Sequence, residues 1–373
     1  MAKVMADLFA GCGGLSLGFE KAGFGVSFAN DINPISAHTY IENINIDKSR
    51  FYIGDINDIL ESYSSYENCF ESIDLLSGGP PCQGFSMANR QRIIDDPRNI
   101  LYKSFLKILS KAKPRFFVME NVKGMLNKID EILDDFGNIL DSEYDISHSI
   151  LNARDFGIPQ NRERLFIIGN NMGVDMHDLF ERINKHKRPF FTLEDAISGL
   201  PPLGVKTVKN NSAIENEVVG YFKVEHKYRV DDFYKFINGE KEIEYVYNHK
   251  NRYNNGRDVE IYTLLPQGAN SLHPSIADIM PYKTRNHIFK DKYFKLKYDD
   301  VCKTITSHMK FDCNMYIHPT QPRGLSAREA ARVQTFPDDF VFYGAQNSWY
   351  MQIGNAVPVK LAEIIGGEII KCL

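Results

Sequence analysis

Over the first 170 residues, apolar and polar positions follow two rhythms, and the switches between them mark a series of strand, turn and helix units. Lys3 to Phe9 reads as a short apolar strand, Ala10-Gly11-Cys12-Gly13-Gly14 as a turn, and Leu15, Leu17, Phe19 and Ala22 as the apolar stripe of a helix. A second strand, Gly25 to Ala29, ends at Asn30-Asp31, and a third strand-to-helix junction follows at Tyr52-Ile53-Gly54-Asp55-Ile56. Ile73 to Ser77 is a buried-type run that leads into Gly78-Gly79-Pro80-Pro81-Cys82-Gln83-Gly84-Phe85-Ser86. Leu101, Phe105, Ile108 and Leu109 have helical spacing, Arg115 to Met119 is a strand ending at Glu120-Asn121-Val122, and Met125, Leu126 and Ile129 begin another helix. Strand-like segments recur at Tyr144 to Leu151 and Arg164 to Ile168. Regular alternation of this kind predicts an α/β fold with a doubly wound, mostly parallel sheet.

From about Asn170 the rhythm breaks, and polar, Tyr-rich and Lys-rich segments run to about Pro322, a candidate second domain. Order returns at Ser326, an expected N-cap with Glu329 three residues on, in a helix that Pro337 is expected to end. Gln352 to Pro358 reads as a turn into a closing helix striped by Leu361, Ile364 and Ile365.

Composition narrows the picture. A chain of 373 residues is long enough for two domains and a core without staples. Its formal charge of −4 gives no global basic field, so any nucleic-acid surface is local. Six cysteines without a CxxC pair fit reduced thiols in a cytosol. No run approaches the ~20 apolar residues of a membrane helix, which predicts a soluble cytoplasmic protein with no membrane contact.

Candidate chemistry gathers at the strand ends. Two glycines and two prolines hold Cys82 in a stiff turn beyond a strand, which suits a nucleophile, although a free cysteine taken alone is more often a small buried hydrophobe. The Gly11 to Gly14 turn leaves a helix N-terminus open to a cofactor or is a tight packing turn. Asp31 is placed for ribose hydroxyls, and Asp55 for capping a helix, for an adenine amino group, or for both. Glu120 is either an acid at a helix start or a catalytic carboxyl. Asn89 to Asn99, with Arg90, Arg92 and Arg98, reads as an active-site loop. Lys283, Arg285, Lys290, Lys292, Lys295 and Lys297 among Tyr282, Phe289, Tyr293 and Phe294 suit a phosphate backbone and bases, or a solvated insertion.

Taken together and in order, Asp7-Leu8-Phe9-Ala10-Gly11-Cys12-Gly13-Gly14, Gly79-Pro80-Pro81-Cys82-Gln83, Glu120-Asn121-Val122, Gln160-Asn161-Arg162-Glu163-Arg164, Arg328 to Pro337 and Gly354-Asn355-Ala356-Val357-Pro358 resemble the DNA cytosine-5 methyltransferase family, of the prokaryotic modification-methylase type. The resemblance implies a catalytic and cofactor-binding domain of residues 1–170 plus 323–373, with a smaller target-recognition domain, 171–322, inserted. It implies S-adenosylmethionine as methyl donor, S-adenosylhomocysteine as product, no metal, and 5-methylcytosine in double-stranded DNA as outcome. Cys82 would add to C6 of a flipped cytosine, Glu120 would serve N3, and Arg162 and Arg164 would fix the base and its loop. Phe9, Gly11, Gly13, Gly14, Asp31, Ile32, Asp55, Ile56, Pro80, Leu101, Asn355 and Ala356 would hold the cofactor, and Gln83, Ser86, Arg90, Arg98 and Gln160 the DNA. Asp31 stands where the family usually has a longer Glu, and Ile32 gives adenine no aromatic face. A monomer paired functionally with a restriction endonuclease is the implied setting.

Other classes fit less of the chain. A tRNA methyltransferase on the same scaffold typically carries Cys-Phe-Thr in the recognition region, and none occurs between 170 and 320. A nicotinamide oxidoreductase would need GxGxxG spacing and would leave Cys82 without a task. A non-catalytic DNA-binding relative would be expected to have lost Cys82 or Glu120.

Overall fold

The computed structural model describes residues 3–81, 101–141, 143–209, 213–225, 230–281 and 291–373. They form two units: one of residues 1–156, 163–188 and 357–373, the other of residues 157–162 and 189–356.

The first unit is built on a seven-stranded sheet. Its strands are β1 (Lys3–Leu8), β2 (Phe24–Asp31), β3 (Phe51–Ile53), β4 (Leu75–Gly78), β5 (Phe116–Val122) and β6 (Asp145–Asn152), and, after the two-residue β7 (Gln160–Asn161) of the second unit, β8 (Glu163–Asn170). The order is β3-β2-β1-β4-β5-β8-β6, with β8 antiparallel to both neighbours and the other pairings parallel. This is the doubly wound, mostly parallel sheet that the rhythm of the sequence predicts. Strands buried on both faces need near-continuous apolar runs, and β4 and β5 supply them. Leu75, Leu76, Phe116, Phe117, Val118 and Met119 are wholly buried.

The chain leaves β1 in one direction towards β2 and returns on its other side as β4, so the switch point lies between the carboxyl ends of β1 and β4, where open α/β sheets bind ligands. The closing helix, Val359–Ile370, packs in this unit against the helix Gly14–Ala22. Their contact is backbone-close: a Cβ at Gly18 would lie 2.4 Å from that of Ala362, and one at Gly366 would lie 2.6 Å from the Phe19 ring.

In the second unit a two-stranded antiparallel ribbon pairs β9 (Gly220–Glu225) with β10 (Tyr245–Lys250), and β11 (Cys302–Lys303) pairs in parallel with β7. Short helices and turns make up much of the rest. Residues 323–356, grouped by resemblance with the catalytic part, belong to this unit by packing. The capping box at Ser326 is present, with Ser326 Oγ taking the Glu329 N–H at 3.1 Å and Glu329 Oε2 taking the Ser326 N–H at 2.7 Å. That helix ends at Val333, four residues before Pro337, because Thr335 adopts a left-handed backbone (φ 59°). Gln352 to Asn355, read above as a turn, is the last turn of a helix, Gln346–Asn355.

Candidate active site

At the end of β1 the chain makes a tight left-handed turn, with Phe9 and Gly11 both at φ 56°. The turn is held from β2: Asp31 Oδ2 accepts the Gly11 N–H at 2.8 Å, and its Oδ1 accepts that of Asn33 at 2.8 Å. Burial pushes the Asp31 carboxyl above its ordinary range, against these two bonds. Beneath the turn Asp7, which is buried, accepts from Ser16 and, at 2.8 Å, from Ser77 Oγ, while Tyr40 donates to Ser16 at 2.7 Å. Helix and both switch-point strands are thus tied to one carboxyl, and burial raises its pKa to about 6.

The other cofactor candidates of the first unit sit at neighbouring strand ends. Gly13 is left-handed and pressed against Tyr40 and Ile44, and Gly14 opens its helix. Asp55 caps the helix Ile56–Glu61 through the Asn57 N–H at 2.8 Å and is itself exposed. Ile56 is buried, whereas Ile32 and Ile53 are exposed apolar groups. Pro80 is buried, and Leu101 and Phe9 pack on the core of the unit. A Cβ at Gly11 would meet nothing within 4 Å, so its backbone faces open space. Exposed aliphatic surface, an open glycine backbone and two carboxylates suit the flat ring, amine and hydroxyls of an adenosyl group.

Glu120 and Arg164, the catalytic candidates of this unit among the described residues, meet where β5 and β8 pair. Gly78 admits no side chain, since a Cβ would lie 2.7 Å from the Leu8 carbonyl oxygen. A Cβ at Gly79 would lie 3.3 Å from Glu120 Oε2, so the loop carrying the thiol starts against this carboxylate. Asn121, also buried, donates to the Pro80 carbonyl at 2.9 Å and fastens the loop to β5. Glu120 faces Phe166 across the β5–β8 ladder, which makes Arg164 its diagonal neighbour on the same face. Arg164 Nε is 3.0 Å from Glu120 Oε1, with both side chains largely buried. Burial draws the Arg164 pKa down, and the Glu120 charge opposes the shift. Sequence alternation brings out Arg164 but gives no sign of the Asn121 tie.

Arg162 and Gln160 belong to the second unit and are internal. The Arg162 guanidinium donates to Ile305 O at 2.7 Å and Ala356 O at 2.9 Å, and approaches Gly354 O at 3.4 Å. Gln160, expected on DNA, is wholly buried: its amide donates to Gln334 Oε1 at 2.8 Å and accepts the Ile305 N–H at 2.8 Å. Its position therefore departs from that expectation, because both ends of the amide serve to hold β7 to its surroundings. Asn355 and Ala356 end the helix Gln346–Asn355, where Gln334 also donates to Ala356 O at 3.1 Å. Lys292 pairs with Asp312 at 3.2 Å, and Lys295 donates to Tyr262 O at 2.9 Å. Cys82, Gln83, Ser86, Arg90, Arg92, Arg98, Lys283, Arg285 and Lys290 lie outside the described residues. Among the described residues no acidic, His and Cys cluster could hold a metal, and no helix is long and apolar enough to cross a membrane.

The model of the C-5 cytosine-specific DNA methylase family matches residues 4–371. The chain is 31% identical to the Type II methyltransferase M.XorII of Xanthomonas oryzae pv. oryzae, with 98% of this chain and 84% of that protein covered. It is also 31% identical to the Type II methyltransferase M.MthTI of Methanothermobacter thermautotrophicus, over 99% of this chain and 97% of the other. Among solved structures, a protein described as a DNA modification methyltransferase encoded within an E. coli prophage is similar with a TM-score of 0.77 and 28% identity, covering 99% of both chains. With the family model matched over almost the whole chain, the chain belongs to the C-5 cytosine-specific DNA methylase family.

Proposed function

We propose that this cytosine-5 DNA methyltransferase acts through Cys82 as nucleophile and Glu120 as the group that serves the base. The carrying observation is the Glu120–Arg164 pair near the end of β5, with Gly79 of the Cys82 loop against the carboxylate. Carbon 5 of cytosine is too weak a nucleophile to be alkylated directly. The Cys82 thiolate forms a bond to C6, and the C5–C6 π pair moves onto C5 and, through the ring, towards N3. Glu120 meets that charge at N3 by donating a proton or a hydrogen bond, and Arg164 holds the carboxyl in place. Once C5 carries the methyl group, its proton passes to water, the C5–H electron pair restores the C5–C6 double bond, and the C6–S pair leaves with the Cys82 thiolate. Because C5 and C6 are stacked in the duplex, the cytosine must be flipped out to meet a thiol.

S-adenosylmethionine, when bound, supplies an electrophilic methyl group. Phe9, Gly11, Gly13, Gly14, Asp31, Ile32, Asp55, Ile56, Pro80 and Leu101 are the residues proposed to hold it, and the resemblance adds Asn355 and Ala356. Each Asp31 oxygen has a second lone pair beyond its backbone bond, which leaves it able to accept from ribose hydroxyls. Arg162 is a positioning residue in this reading. Recognition is assigned to residues 171–322. The Type II names of M.XorII and M.MthTI support a modification enzyme that acts beside a restriction endonuclease; a monomer is the state proposed for it.

Bisulfite sequencing of DNA from cells expressing the chain tests the reading. Protection of cytosines within one short sequence is expected from the wild type and none from Cys82→Ser. Equal protection by both would remove Cys82 from the mechanism.

A further inference from the structure

Phe311 is the aromatic member of the exposed large apolar side chains among the described residues, at 64% exposure. A single exposed apolar group is ordinary, and exposure alone means little. What sets Phe311 apart is how firmly its backbone is held. It ends the short 3-10 turn Ser307–Lys310, where its N–H bonds to His308 O at 3.0 Å. Arg252 clamps the turn from one side, donating to Met309 O at 2.7 Å, to Phe311 O at 3.0 Å and to Asn347 Oδ1 at 3.2 Å. Met309 is wholly buried, and Gly354 presses on the start of the turn so closely that a Cβ there would lie 2.1 Å from the Thr306 carbonyl carbon. A core contact that failed to form would leave a mobile ring. Here a fixed backbone presents a ring to solvent.

The ring has basic neighbours. Lys310 Nζ lies 4.9 Å from the Phe311 ring centre, and the exposed His308 imidazole lies 5.2 Å from it, edge to face. The acidic neighbour in sequence, Asp312, is paired with Lys292. An aromatic tip between two groups able to carry positive charge, on a pre-formed turn, matches what a duplex offers: apolar thymine methyls and base edges in the groove, with phosphates on either side. A protein partner would ask for a broader apolar face than one ring between basic groups.

We propose that the turn Ser307–Phe311 reads the target duplex, with Phe311 against base edges and Lys310 and His308 on flanking phosphates. The proposal rests on the reading that this chain recognises a specific duplex. It requires neither Cys82 nor methyl transfer. Wild type and Phe311→Ala are each carried through binding selection from a random duplex pool. The wild type is expected to enrich one motif, and the variant the same motif with preference lost at one or two adjacent pairs, an A·T pair among them. Affinity for an unrelated duplex should stay within about twofold, since no phosphate contact is removed. Lys310→Gln should keep the motif and lower the slope of log affinity against log salt by about 0.9. Thermal melting shows that each variant is folded; Phe311 is exposed and Lys310 half-buried at the surface, and neither change is expected to lower the midpoint by more than a few degrees. An identical motif of equal strength from Phe311→Ala, or no motif from the folded wild type, overturns the base contact. An unchanged salt slope overturns the phosphate contact. Failure of the covalent mechanism would leave the selection intact, so the two are told apart.

Discussion

Asp31 and Glu120 show how differently two carboxylates at strand ends are used. Asp31 takes two backbone N–H groups and shapes the turn at Gly11, so its value lies in having two acceptor oxygens. Asp31→Asn replaces one acceptor with a donor that faces an N–H. S-adenosylmethionine affinity measured by calorimetry should fall about tenfold, the effect of losing ~1.4 kcal/mol, while DNA affinity is unchanged. Glu120 is held by Arg164 at the end of β5 with Gly79 against it, and the proposed mechanism uses it as an acid. Glu120→Gln keeps the shape and removes the acid, so turnover should fall by at least about 10²-fold with cofactor affinity unaltered. Wild-type turnover in that variant would assign N3 to another group. Sequence made both residues visible because each ends an apolar strand run. Sequence also singled out Arg162, whose alternation with Arg164 suggests a shared face and a shared role. The fold instead directs Arg162 to the carbonyls of Ile305 and Ala356, residues nearly two hundred positions away at most.

At the scale of elements, the strands were legible because a sheet buried on both faces demands unbroken apolar runs. The helix Gln346–Asn355 was hidden because its sequence, Gln-Asn-Ser-Trp-Tyr-Met-Gln-Ile-Gly-Asn, has weak helical patterning and ends in the Gly-Asn of a motif that reads as a turn. Gly354 is there for packing: the Thr306–Ser307 backbone lies where a Cβ would go. Gly354→Ala should destabilise the second unit by about 1–3 kcal/mol, read from urea unfolding, because backbone has little room to yield. The strand β10 is fastened to the helix Ala327–Val333 by His249, which bonds Ser326 Oγ at 3.0 Å and Pro201 O at 2.8 Å. Beside them, Glu329 forms a two-pronged pair with Arg323 and lies 3.7 Å from His318. Burial pushes both His249 and His318 down to about 4, from an ordinary 6.5. A histidine with a depressed folded pKa takes up protons more readily when unfolded, so its contribution is complete above pH 6.5 and is lost as pH falls towards 4. Unfolding monitored between pH 7 and pH 4 should show stability falling with acid through this window, less steeply in His249→Asn. A flat profile would contradict neutral buried histidines.

For the whole molecule, the doubly wound sheet and the order of its motifs were legible, whereas the architecture of residues 189–356 was not. Short helices and a two-stranded ribbon bury little with a regular period, so neither a strand nor a helix rhythm survives in the sequence. Function at this scale requires the cytosine to leave the stack. A duplex with the target cytosine mispaired should therefore bind more tightly than the matched one, because part of the unpairing cost is already met. Equal affinities would argue against flipping. The central claim is that Cys82 bonds to C6 of that cytosine, and a duplex carrying 5-fluorocytosine at the methylated position tests it directly. After methyl transfer, fluorine in place of the C5 proton cannot depart as a cation, so the thiolate is not expelled and the adduct persists. Incubated with S-adenosylmethionine and run on a denaturing gel, the wild type should give a protein–DNA band that Cys82→Ser lacks. Full methylation of the ordinary duplex with no such band from the fluorinated one would contradict covalent catalysis.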